Sequence, residues 1–126
     1  MAKKAEAAGD WDTALAAYQK LEKAKGYKFP GYAVYKQAWA YFQSNDTQNA
    51  QLLAQRASTM EGNHKFDANM LYADALFKQG SYQRAKDFYI GLRKQVVSAA
   101  KKSELVKKIG ACNAKLKKPE RDGIVD

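Results

Sequence analysis

Gly9-Asp10-Trp11-Asp12-Thr13-Ala14-Leu15-Ala16-Ala17-Tyr18, Asn45-Asp46-Thr47-Gln48-Asn49-Ala50-Gln51-Leu52-Leu53-Ala54 and Gly80-Ser81-Tyr82-Gln83-Arg84-Ala85-Lys86-Asp87-Phe88-Tyr89 are three versions of one local instruction. Each opens on a residue that tolerates the left-handed backbone conformation, glycine twice and asparagine once, and so ends a helix. Asp10, Asp46 and Ser81 follow at once, each with a side-chain oxygen able to accept from the first amides of a new helix. A stop followed directly by a start leaves almost no connection, so the two helices must fold back on each other as an antiparallel hairpin. Ala14, Ala50 and Ala85 recur at intervals of 36 and 35 residues, a period typical of stacked helical repeats.

Working outward, each second helix carries a stripe at helical spacing: Ala14, Tyr18 and Leu21; Ala50, Ala54 and Ala57; Ala85, Tyr89 and Leu92. These stripes are read as the seams between paired helices. The preceding stretches agree. Residues 31–44 place Val34, Ala38 and Tyr41 on one face, and residues 66–79 place Asn69, Ala73 and Leu76 there with Tyr72 beside them. Before Gly9, Ala2 to Ala8 reads as the closing turns of a helix, so the chain is expected to be a piece of a longer protein. Residues 103–117 read as a terminal helix with Val106, Ile109, Gly110 and Asn113 at the spacing of another first helix, either a cap over the last seam or the first half of a further repeat, stopped at Pro119 and followed by a frayed tail over 119–126.

The pattern Gly-Asp-aromatic-x-x-Ala-x-x-x-Tyr, entering a second helix after a first helix of bulky, small, then Tyr or Leu residues, resembles the tetratricopeptide repeat. The first and third motifs carry the resemblance strongly; in the second, Thr47 stands for the aromatic and Ala54 for the tyrosine. It implies an all-α chain of antiparallel helix hairpins stacked as an α-solenoid: repeat 1 truncated to 1–26, repeat 2 at 31–61, repeat 3 at 66–97, then the terminal helix. The family's usual proline closing each second helix is absent. Lys25-Gly26-Tyr27-Lys28-Phe29-Pro30-Gly31 and Glu61-Gly62-Asn63-His64-Lys65 stand in its place, so the turn between repeats is expected to differ.

Stacked hairpins present their first helices along a concave surface. Tyr32, Tyr35, Trp39 and Phe42 form a stripe offset from the Val34-Ala38-Tyr41 seam, and the next first helix offers Asp67, Met70, Asp74 and Phe77. Tyr35, Trp39, Phe42, Met70, Asp74 and Phe77 are therefore the expected peptide-binding residues: apolar gaps for an anchor, carboxylates for a basic neighbour. The carboxylate clamp that some family members use has only Lys36 and Asn69 as echoes, and Asp67 and Asp74 would repel a carboxylate.

The composition is that of a folded chain. The chain has 126 residues, 46% of them hydrophobic, with two prolines, which suits one domain. Cys112 and His64 are the single cysteine and histidine, so neither an internal disulfide nor a metal site is expected. No nucleophile-base pairing or phosphate-cradling loop appears, and neither catalysis nor a cofactor is expected. No apolar run approaches the roughly 18 residues of a membrane span. Between Arg93 and Lys118 nine basic residues face one acid, contributing +8 of the net +9. That concentration keeps open a second reading, a basic surface for nucleic acid or anionic partners, although no aromatic in the run could stack on a base. A third reading is a structural spacer within a longer array, with self-association through the uncovered N-terminal edge.

Overall fold

The computed structural model describes residues 2–124, with side chains as far as Lys117. Every regular element among them is helical: α1 Ala2–Ala7, α2 Trp11–Lys23, α3 Pro30–Gln43, α4 Thr47–Ser58, α5 Lys65–Lys78, α6 Tyr82–Gln95 and α7 Ala99–Ile124. The chain forms two compact units, Met1–Ala75 and Leu76–Asp126. None of the described helices is long and apolar enough to cross a membrane.

The three motifs build three turns with the same backbone hydrogen bonds. Gly9, Asn45 and Gly80 have φ of 74°, 69° and 90°, the left-handed conformation that turns the chain out of a helix. That conformation points the next two amides back at the helix just ended. Gly9, Asn45 and Gly80 donate to the carbonyls of Glu6, Phe42 and Phe77, and Asp10, Asp46 and Ser81 donate to those of Ala5, Tyr41 and Leu76 at 2.8, 2.9 and 2.9 Å. Asp10 and Asp46 also open the next helix, accepting from the amides of Thr13 and Asn49 at 3.2 Å each. Two bonds from Thr13, its hydroxyl first, hold the Asp10 carboxyl below its ordinary value. Ser81 takes the same backbone position without a side-chain cap, so the third turn rests on its backbone bonds.

The seams lie where the stripes place them. Ala14, Tyr18, Ala50, Ala54, Ala57, Ala85, Tyr89 and Leu92 are all buried. In the first unit α1 packs on α2, α2 on α3 and α3 on α4. α5 closes the layer, with Val34, Ala57 and Ala68 in one cluster and Ala38, Ala54 and Leu71 in another. Alanines dominate these seams, so backbones approach closely and small enlargements overpack them. α3, enclosed from two sides, also buries Gln37, whose amide donates to Glu22 Oε1 at 2.8 Å and to the Tyr18 carbonyl at 3.4 Å.

In the second unit α6 packs on α7. The terminal helix differs from expectation in extent and in face. It starts at Ala99 because Ser98 caps it, its hydroxyl accepting from the Lys101 amide at 3.3 Å. It continues through Pro119 to Ile124; proline removes one rung of the ladder, and the good helix formers flanking it carry the helix on. Of the expected tail, 125 and 126 lie outside the described residues. The buried face is Leu105 and Cys112, with Ile109 and Leu116 half-buried, whereas Val106, Gly110 and Asn113 are exposed. Positions 105, 109, 112 and 116 share one face at helical spacing, and that is the face turned inward.

His64 lies in the connection before α5 and is buried there. Its Nε2 meets the Ala57 carbonyl oxygen at 2.6 Å, which requires the proton on that nitrogen. The imidazole lies against Gly31, where an added Cβ would fall within 2.6 Å of Nε2. Gly31→Ala is therefore expected to destabilise the first unit by about 1–2 kcal/mol, the overpacking outweighing alanine's helical advantage. Tryptophan fluorescence during denaturant unfolding reads this directly, because Trp11 and Trp39 both lie in that unit. Gly91→Ala, with open space around it, should not lower stability.

Candidate functional site

α3 is gripped from both flanks, and its remaining edge carries Tyr35, Trp39 and Phe42. Opposite it, α5 brings Asp67, Met70 and Asp74, and these six side chains line one shallow pocket of about 190 Å³. Five of the six residues expected to bind a peptide thus meet in one place. Phe77 does not: it belongs to the second unit, where its ring packs edge-on against Tyr82 at 5.1 Å. Met70, at 8% exposure, forms floor rather than wall.

Trp39 is fixed before any ligand arrives. The Trp11 ring meets it at 5.1 Å and 86°, edge to face, and the Lys36 ammonium lies 4.0 Å from its centroid. Lys36 also sits 3.5 Å from the Glu6 carboxylate, whose other role is to accept the Tyr18 hydroxyl. Lys36 is thereby committed to packing, not to a carboxylate clamp.

Burial first, then the charge of Asp67, pushes the Tyr35 hydroxyl up to about 12, with Tyr32 and Asp74 adding to the effect. The pocket therefore presents a neutral phenol and an acidic rim, suited to an apolar group beside a positive one.

Sequence reading missed a second pocket. The connections 24–30 and 59–64 face each other and enclose about 530 Å³, lined by Tyr27, Phe29, Tyr32, Glu61, Asn63 and His64. Its only signal in the sequence was the departure from the family's usual inter-repeat turn. The basic run, by contrast, takes part in packing: Lys108 and Lys115 lie 5.8 and 6.0 Å from the ring centroids of Tyr89 and Tyr82.

Comparison of the chain with protein-family models and with curated proteins finds no match.

The raised Tyr35 value has a consequence for stability. Folding holds a proton that the unfolded chain releases near pH 10, so stability is intact below that pH and falls as pH rises toward 12. Tyr18, also raised by burial and by its bond to Glu6, acts in the same direction. Tyr35→Phe should lose less stability between pH 10 and 12 than the wild type, measured by denaturant unfolding at each pH.

Proposed function

We propose that the chain is a tetratricopeptide-like array of helix pairs that binds a peptide or helix of a protein partner in the pocket between α3 and α5. The observation that carries this reading is the convergence of Tyr35, Trp39, Phe42, Met70 and Asp74 on one pocket. Three turns with the same hydrogen bonds, each opening a helix with the same seam stripe, support the repeat architecture.

Binding follows from the lining. The pocket has room for a single apolar side chain, whose burial contributes about 1.5–3 kcal/mol. Tyr35 and Trp39 supply flat, half-buried surface whose conformational freedom is already spent on packing, so little is lost when the ligand seats. Asp67 and Asp74 select a lysine or arginine next to the anchor and repel acidic segments. The basic-surface reading is weaker, because two of its lysines lie over tyrosine rings of the neighbouring helix.

Panning a random peptide library against the full chain should enrich sequences with one aromatic or large aliphatic residue beside a lysine or arginine. Asp67→Asn/Asp74→Asn should weaken those peptides about three- to tenfold and remove most of their salt dependence. Enriched peptides that bind the double variant as well as the wild type would exclude this pocket, and a library that yields no binders would favour a structural spacer.

A further inference from the structure

We infer that the pocket between the 24–30 and 59–64 connections is a site for a trimethylammonium group, carried by a methylated lysine or by a choline-type molecule. Three aromatic rings line it, and two of them, Tyr27 and Phe29, pack edge to face at 80° with centroids 6.0 Å apart. Tyr32 provides the third ring and Glu61 a carboxylate. Phe29 is 63% exposed and Tyr32 41%, so two of these rings are open to a ligand.

The chemistry of this lining selects charge as well as size. Aromatic faces carry partial negative charge and attract a poorly hydrated cation, each contact contributing roughly 0.5–2 kcal/mol. Burial, with the neighbouring Tyr32, holds the Tyr27 hydroxyl above its ordinary value, so that ring is a neutral phenol and the attraction comes from its face. Glu61 adds a full negative charge. It lies 3.5 Å from Lys65, the first residue of α5, in an exposed pair, a pairing weak enough for a bound cation to displace. The lining itself holds a carboxylate and no lysine or arginine, the Glu61 partner Lys65 standing outside it. A volume of about 530 Å³ exceeds an ammonium head, leaving room for the first carbons of its stem.

His64 forms the floor and is engaged with Ala57, which fixes the 59–64 connection against α4. The pocket is therefore held open by packing rather than by the ligand.

The chain's +9 charge repels any cation at long range, and salt screens that repulsion while leaving short-range ring contacts nearly intact. Affinity for a trimethylammonium ligand is thus expected to change little with added salt, which screens the exposed Glu61 carboxylate as well as the long-range repulsion.

The test titrates the full chain, followed by NMR of the aromatic signals, with choline, with a peptide bearing trimethyllysine, and with the neutral isostere of choline in which carbon replaces nitrogen. Choline and the peptide should shift the Tyr27, Phe29 and Tyr32 resonances, with the isostere at least about fivefold weaker. The tighter of the two cations identifies the source, free small molecule or modified protein tail. Phe29→Leu keeps apolar bulk without a π face and should weaken both about three- to tenfold, as should Glu61→Gln to a lesser degree. Phe29 and Glu61 are exposed, so both variants should retain wild-type circular dichroism. An isostere that binds as well as choline, wild-type affinity in Phe29→Leu, or no shifts with either cation would overturn the assignment.

Discussion

One backbone hydrogen bond, made three times, organises this molecule: the amide of Asp10, Asp46 or Ser81 reaching back five residues to close the helix that precedes it. The bond forms only because the residue before it takes a left-handed conformation. In the first two turns the aspartate that closes one helix by its amide opens the next by its carboxylate. Two helices thus share a single joint residue. Their relative direction is set within a few atoms, which lets alanine-lined seams meet with the close spacing they need. Alanine seams bring little transfer free energy per residue, so tight geometry at the joints is what makes them cohesive.

The same enclosure shapes the candidate binding surface. Held by α2 through Gln37 and by α4 and α5 through Val34 and Ala38, α3 has one edge left, and that edge is aromatic. Its central residue, Trp39, is immobilised by Trp11 and Lys36. An aromatic surface already packed in this way, beside two carboxylates, is what the proposed peptide binding would use, because little ordering would remain to be done.

Local chemistry was legible in the sequence, and non-local chemistry was not. Gly9, Asn45 and Gly80 announce their conformation through residue type alone, and the stripes at 14, 18 and 21, at 50, 54 and 57 and at 85, 89 and 92 follow from helical periodicity. Tyr35, Trp39 and Phe42 could be matched with Met70 and Asp74 because both helices belong to the repeat pattern. Phe77 was one turn too far and fell to the other unit. A repeat template puts Val106 and Asn113 of α7 inward, whereas Leu105 and Cys112 are the residues that packing against α6 buries. The start of α7 was missed because Ser98 was not read as a cap. The contact of His64 with Gly31 and the pairing of two connections into an aromatic pocket depend on residues far apart in sequence, and no spacing rule reports such a meeting.

Glu22 has a role that reaches past packing. Its carboxylate accepts from Gln37 on α3 and from Arg56 on α4, so one side chain of α2 is tied to both following helices. Stacked helical layers yield most readily by sliding, and this tie resists it crosswise. Under a pull along the chain, the segment from α2 to α4 should behave as a stiff block, with compliance concentrated in the joints outside it. A partner seated on α3, as proposed, would therefore rest on a helix whose two neighbours are tied to each other through Glu22.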